Sequence, residues 1–384
     1  MKLSRRSQVD PFIVMDVMEA ARAVEAEGRR IIHMEVGQPS TLAPLQARQV
    51  VGKSLVSDPM GYTVALGLPD LRQGIARLYM EWYGLDLDPN RVVVTSGSSA
   101  GFLLAFTALF DPSARVGLAT PGYPSYRQIL KALSLQPVDI PTYADTGYQL
   151  SVKDVAALRL DGLLVASPGN PTGTMLDKSV LQALADYTKK AGIGFISDEI
   201  YHGIEYEKKA VTVLEVTNSA YIINSFSKYF SMTGWRVGWL VVPEDHVRSI
   251  ERLAQNMFIC PPHISQIAAL EALGCGQEME ENLVVYAENR RLMLAGLPEV
   301  GITRIAPPDG AFYIYADISE FGVDSRTFAA EVLADAGVAI TPGLDFDSLR
   351  GAHTIRLSYA QSTDEIIEGL RRLKAFMQAR YLKS

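Results

Sequence analysis

The sequence predicts an α/β protein with a large domain, built on a mostly parallel seven-stranded sheet flanked by helices. A smaller α+β domain built from both chain termini accompanies it. Three observations carry this expectation. From residue 91 onward, short apolar runs alternate regularly with stretches of helical spacing, the pattern of a parallel sheet wrapped on both faces. At 384 residues the chain exceeds the size at which one hydrophobic core keeps growing, so two domains are expected. Beyond a long helix predicted from Glu278 to Leu297, the regular alternation gives way to a smaller mixture of strands and helices.

In chain order, residues 11–27 have helical spacing and end at Gly28, a candidate C-cap. A short strand over 31–36 runs into the turn Gly37-Gln38-Pro39, and a helix is expected over 44–57. After a second turn at Gly67-Leu68-Pro69, Asp70 is the expected N-cap of a helix through Tyr83. Strands are predicted at 92–96, 116–119, 136–140, 162–166, 194–198, 221–224 and 237–242. Helices lie between them, among them 99–110, 123–133 and 177–190. Two more, near 243–256 and 262–273, precede the long one. The smaller unit has strands near 302–306, 311–317, 338–341 and 353–358, with helices over 325–336 and 362–378. These boundaries put residues 46–275 in the large domain and 1–45 with 276–384 in the small one.

Composition narrows the function classes. A hydrophobic fraction of 48% with 21% charged residues is that of a globular chain. The net charge of −7 without a basic run argues against a nucleic-acid partner. Only Cys260 and Cys275 are present, so no disulfide framework is expected and a reducing compartment fits. Five scattered histidines lack ligand spacing, so no metal site is expected. No apolar segment follows the basic start Met1-Lys2-Leu3-Ser4-Arg5-Arg6, and the longest apolar tract, Phe102 to Phe110, is short for a bilayer. A cytoplasmic protein with no membrane partner is the expectation.

The chemistry concentrates at the ends of predicted strands, where open α/β sheets bind ligands. Ser225-Phe226-Ser227-Lys228 lies between two apolar strand-like segments, with Arg236 eight residues beyond the lysine. A lysine delivered into an interior loses its proton readily and becomes a nucleophilic amine. Two hydroxyls and an arginine suit a phosphate monoester. Lysine and phosphate cradle together point to pyridoxal phosphate (PLP); the alternative is a solvated loop. Gly97-Ser98-Ser99-Ala100 opens a helix after a strand, which suits a phosphate or an ordinary cap. Tyr123, held between Gly122 and Pro124, could stack on a flat ring or simply pack at the surface. Asn170, among prolines and glycines, could donate to a ring hydroxyl or only shape its turn. Asp198 ends a buried strand, where a carboxylate is costly unless paired, and a pyridinium nitrogen would pair it; a capping aspartate is the alternative. Tyr201 follows three residues later. Arg356, inside the apolar run Thr354-Ile355-Arg356-Leu357-Ser358, needs an anion: a substrate carboxylate or an internal salt bridge.

These segments resemble the class I/II aminotransferases of PLP fold type I, the aspartate aminotransferase superfamily. The matching pieces are Asn170-Pro171-Thr172-Gly173, Asp198-Glu199-x-Tyr201, Ser225-x-Ser227-Lys228 with Arg236-x-Gly238, and Arg356. Their order and separations match over nearly the whole chain. The resemblance implies that Lys228 holds PLP covalently and carries a proton between the substrate Cα and the coenzyme. It also implies that Asp198 pairs with the pyridine nitrogen, that Asn170 and Tyr201 bind the ring oxygen, and that Tyr123 stacks on the ring. Ser98, Ser99, Ala100, Ser225, Ser227 and Arg236 would hold the phosphate. Tyr62 resembles the tyrosine that reaches the phosphate of the neighbouring subunit, which implies a homodimer. Arg356, helped by backbone near Gly37, would bind the substrate α-carboxylate.

The expected activity is amino transfer between an L-amino acid and a 2-oxo acid. The segment where some dicarboxylate-selective relatives carry an extra lysine has only Ser98 and Ser99, and the candidate side-chain pocket residues Phe12, Ile13, Tyr123 and Phe258 are apolar or aromatic. A neutral or aromatic substrate is therefore favoured. A PLP-dependent C–S lyase on cystathionine-like or cysteine-conjugate substrates shares the same residues. A PLP-sensing regulator would need a DNA-binding module, and only about thirty residues precede the first predicted strand.

Overall fold

The computed structural model describes residues 1–382. Its first part comprises α1 (Ile13–Ala26), β1 (Ile32–His33), α2 (Leu45–Ser57) and α3 (Pro69–Tyr83). The alternating unit follows as β2 (Val92–Thr95), α4 (Gly97–Leu109), β3 (Arg115–Thr120), α5 (Pro124–Ala132), β4 (Gln136–Pro141), α6 (Val152–Val155) and β5 (Gly162–Ala166). It continues through α7 (Lys178–Ala191), β6 (Gly194–Asp198), β7 (Tyr221–Ser225) and β8 (Gly238–Val241). Then come α8 (Val247–Met257), α9 (His263–Ala272), α10 (Gly276–Glu299), β9 (Arg304–Ile305), β10 (Tyr313–Asp317) and α11 (Ser325–Glu331). The chain closes with β11 (Val338–Ala339), β12 (Thr341–Pro342), β13 (Thr354–Ser358) and α12 (Thr363–Arg380).

Seven strands form one sheet in the order β2-β8-β7-β6-β5-β3-β4. Six strands run in one direction, and β8 runs antiparallel to both neighbours, with Gly238 opposite Thr95 on one side and Ser225 on the other. That reversal has a consequence for the site. A parallel strand offers its C-terminal end at the ligand edge; β8 offers its start, so Arg236 enters at the edge where Thr95, Asp198 and Ser225 leave. Strands buried on both faces read as continuous apolar runs: all four residues of β2 and of β8, and all five of β7, are buried. α4 is apolar on nearly every side because it is enclosed by β7, β8, α5 and α8.

A four-stranded antiparallel sheet in the order β12-β13-β10-β9 forms the second unit. The N-terminal part joins it through β1, which pairs in parallel with β11, Ile32 opposite Val338. Both chain ends therefore contribute to the smaller unit. One hydrophobic cluster runs from the large sheet into this unit, from Val92 and Leu163 to Ile355 and Met377, while a second fills the opposite face beneath α4 and α8.

Some predicted elements differ in detail. The strand expected over 31–36 pairs only at Ile32–His33, because the chain beyond it turns its carbonyls elsewhere: that of Glu35 accepts from Thr341 Oγ1 at 2.8 Å. Asp70 does not cap α3. Leu68 holds the N-cap position, Pro69 is the first helical residue and Asp70 lies in the first turn, where its charge faces the positive end of the helix dipole. The strand expected at 338–341 breaks into β11 and β12, and the helix over 325–336 ends in a π turn over Val332–Ala336.

Asn289, buried on α10, donates through Nδ2 to the carbonyls of Tyr359 at 3.0 Å and Gln361 at 2.7 Å, tying the long helix to the end of β13. Asn289→Ala leaves these buried acceptors without that donor and should destabilise the protein by about 1–3 kcal/mol. A denaturant midpoint unchanged from wild type would contradict this.

Candidate active site

The strand ends and the segment after β1 enclose a cavity of ≈ 220 Å³ between the two units. Lys228 lies three residues past β7 and contributes to its wall. Its Nζ donates to the carbonyl of Gly37 at 2.5 Å and sits 5.7 Å from the centre of the Tyr201 ring. Burial, then the charges of Arg356 and Arg236, bring the Lys228 amine down to about 7 from its ordinary 10.5, with Asp198 pulling the other way.

Asp198, 4% exposed at the end of β6, accepts at Oδ1 from the Ile200 amide at 3.0 Å and at Oδ2 from the Tyr126 hydroxyl. Burial raises its carboxyl to about 6, opposed by Tyr126, the Ile200 amide and the Lys228 charge. Tyr201, buried beside it, shares a hydrogen bond with the Tyr313 hydroxyl at 2.6 Å.

At one end of the cavity Ser98 and Ser99, in the first turn of α4, face Ser227 and Arg236. Arg236 adopts a left-handed backbone conformation (φ 52°) and donates from Nη1 to the Thr233 carbonyl at 3.0 Å. Its guanidinium lies against Gly97: a Cβ there would come within 2.3 Å of Nη2. Only glycine lets the arginine reach the helix N-terminus, where amides and a cation suit an anion. Ser225 and Ala100 do not line the cavity. The Ser225 hydroxyl is turned inward, 2.9 Å from Ser227 Oγ and 3.1 Å from the Val237 carbonyl, and Ala100 is buried one residue deeper in α4.

At the other end Arg356 is 2% exposed. It donates from Nη1 to Asn170 Oδ1 at 2.9 Å and from Nη2 to the Glu35 carbonyl, and its Nε has no partner. Its guanidinium is sandwiched between the rings of Tyr313 at 4.4 Å and Phe346 at 4.6 Å. The internal salt bridge weighed from the sequence does not form: among the described residues Arg356 donates to a side-chain amide oxygen, a carbonyl and a hydroxyl and to no carboxylate. Gly37 must be glycine, since a Cβ would lie 1.8 Å from Tyr313 Oη. Tyr123 lines the cavity and meets Tyr126 edge-on, ring centres 5.2 Å apart. Tyr62 is elsewhere, on an exposed loop with 84% of its surface open.

Three contributors were not singled out from the sequence. Tyr126 follows Tyr123 by three residues on α5, an offset that sets two side chains on one helix face, so a signal existed. Tyr313 and Phe346 carry no such signal; they reach Arg356 only through β10 pairing with β13 and the turn after β12.

The residues present fit PLP. An amine of lowered basicity, a buried carboxylate, an arginine packed against Gly97 beside a helix N-terminus, and the ring of Tyr123 converge on one cavity. In the apo-protein, reaction of Lys228 with a small aldehyde should reach half its maximal rate at about pH 7 rather than at the ordinary lysine value of 10.5. Between those values the unfolded chain binds the extra proton, so this group's contribution makes the apo-fold more stable as pH rises. Labelling that titrates near 10.5 contradicts the geometry.

Residues 29–373 match the family described as aminotransferase class I and II. The valine–pyruvate aminotransferase of Mycobacterium tuberculosis is 44% identical over 382 residues, covering 98% of each chain. A provisionally named aminotransferase from Silicibacter pomeroyi superposes with a TM-score of 0.95 at 66% identity, covering 99% of this chain and 100% of that one. The aspartate aminotransferase of Thermus thermophilus superposes at 0.91 with 29% identity, covering 98% and 100%. Family, fold and coverage agree over almost the whole length. The chain belongs to the class I and II aminotransferases and is a PLP-dependent transaminase.

Proposed function

We propose that this transaminase takes a neutral amino acid and that its residues divide the work as follows. One observation carries the substrate reading. Three cationic side chains line the cavity, Lys228, Arg236 and Arg356, and each has a use other than binding a second substrate carboxylate. The rest of the lining is rich in apolar side chains, Phe12, Val14, Met15, Val36 and Ile200, with Gln38 as an uncharged polar residue among them. A dicarboxylate side chain would be desolvated there without a partner. The 44% identical relative is named for valine and pyruvate, which supports the reading; several relatives near 30% identity are named for aspartate.

When bound, PLP supplies an electron sink for charge developing at the substrate Cα. Arg236, Ser98, Ser99, Ser227 and the amide of Ala100 hold its phosphate, and Ser225 positions Ser227 from behind. Asp198, kept ionised by Tyr126 and the Ile200 amide, holds a proton on the ring nitrogen. Asn170 and Tyr201 bind the ring oxygen, and Tyr123 covers one face. Arg356, held flat between two aromatic rings, binds the α-carboxylate through two parallel hydrogen bonds, with backbone near Gly37 assisting. Lys228 would anchor the coenzyme and, with its amine free, would carry a proton to and from the substrate Cα. Residues 46–275 form the coenzyme-binding domain, and 1–45 with 276–384 the smaller one. The exposed Tyr62 completes the phosphate site of a second copy, so the working form is a homodimer, and two free cysteines suit a cytoplasmic setting. Among the described residues no helix is long and apolar enough to cross a membrane.

The test is a half-reaction panel: coenzyme-loaded enzyme is mixed with single amino acids and loss of the coenzyme's visible absorbance is followed. Neutral amino acids should react faster than aspartate; the reverse order rejects the substrate reading. Arg356→Leu should raise the apparent substrate constant about a hundredfold, the scale of a charged bidentate pair, with coenzyme affinity retained. An unchanged constant rejects its carboxylate role.

A further inference from the structure

α1 begins without a cap of its own. Phe12 holds the N-cap position and offers no side-chain acceptor, although the first amides of a helix have no partner within it. The acceptor comes from 332 residues further along the chain. The Asp345 carboxylate, in the turn that follows β12, accepts from the Ile13 amide at 3.1 Å through one oxygen and from the Val14 amide at 3.2 Å through the other. Asp345 is 5% exposed. Burial raises its carboxyl above the ordinary carboxylate value, and the Ile13 and Val14 amides and the Arg356 charge oppose that shift.

The turn that Asp345 caps also forms part of the apolar wall of the cavity, through Phe12, Val14 and Met15. Phe12 stands edge-on to Tyr123, ring centres 5.9 Å apart at 83°. Just before it, Asp10 is tied to α5: its carboxylate accepts from Lys131 Nζ at 2.7 Å and its amide donates to Gln128 Oε1 at 3.0 Å. The first turn of α1 is thus held to one unit by Asp10 and to the other by Asp345. Phe346, next to Asp345, is one of the two rings that sandwich Arg356. A single turn, 345–346, therefore fixes both the group that faces the substrate carboxylate and the wall that faces its side chain.

We propose that Asp345 is a positioning residue for substrate selection. By seating the first turn of α1, it sets the wall of Phe12, Val14 and Met15 at a distance that accepts a compact aliphatic side chain, such as that of valine, and crowds an aromatic one. This inference rests on the neutral-substrate reading above.

The experiment compares wild type with Asp345→Asn and Asp345→Ala in half-reactions with L-valine, L-alanine, L-phenylalanine and L-aspartate. Coenzyme affinity and melting temperature are recorded alongside. Asp345→Ala should lower kcat/KM for valine about tenfold through KM, the scale of a lost helix cap. Alanine, which does not reach the wall, should change less than about twofold, and discrimination against phenylalanine should relax; Asp345→Asn should fall between. Equal losses for all four amino acids, in step with a lower melting temperature, would mean a purely structural cap and overturn the proposal. If Asp345→Ala does not fold, the valine-to-alanine ratio of Asp345→Asn decides. A wild type that prefers aspartate overturns the neutral-substrate reading itself and the proposal with it.

Discussion

Three cations and one carboxylate share one cavity, and this charge imbalance is the constraint on which the rest depends. Lys228, Arg236 and Arg356 outnumber Asp198 there. Each arginine is kept charged by its chemistry, so the arrangement is stable only if backbone carbonyls, aromatic faces and, in the working enzyme, anions answer the charge. The fold supplies the first two. Glu35, Gly37 and Thr233 turn carbonyls toward the cations, and Tyr313 and Phe346 enclose Arg356. The lysine, the one cation able to shed its charge, does so in part. A coenzyme phosphate and a substrate carboxylate would balance the two that cannot.

The sheet is arranged to bring these charges together. Parallel strands deliver Asp198 and the Ser225 segment at their ends, and the reversed β8 brings Arg236 to the same edge. Arg356 arrives from the other unit on β13. Its carbonyl partner at Glu35 comes from the N-terminal segment, so the site straddles the line between the two sheets. Movement of one unit against the other would change the spacing between Arg356 and Lys228 directly. The turn holding Asp345 and Phe346 lies on that line.

Much of this was legible in the chain itself. The seven strands of the large sheet fall within a residue or two of where apolar alternation places them, because strands buried on both faces have no polar face to blur the pattern. Lys228, Asp198 and Arg356 stand out because a charged side chain inside an apolar run demands a partner whatever the fold. Where local rules compete, the reading weakened. Asp70 has a capping side chain, yet Pro69 pre-sets the first helical torsion and moves the start of α3 back. The segment after Ile32–His33 looks like strand, but tertiary acceptor duties pull its carbonyls away.

Residue type and order determined the fold class, the coenzyme chemistry and most of the charged groups, since these follow from periodicity and from the cost of burying charge. Only the tertiary structure decided which partners those groups have. Tyr126 beneath Asp198, the two rings around Arg356, the inward turn of Ser225 and the cap that Asp345 gives α1 all join residues far apart or out of step along the chain. Such contacts depend on strand order and on how the two units meet, and neither is encoded in any local stretch of sequence.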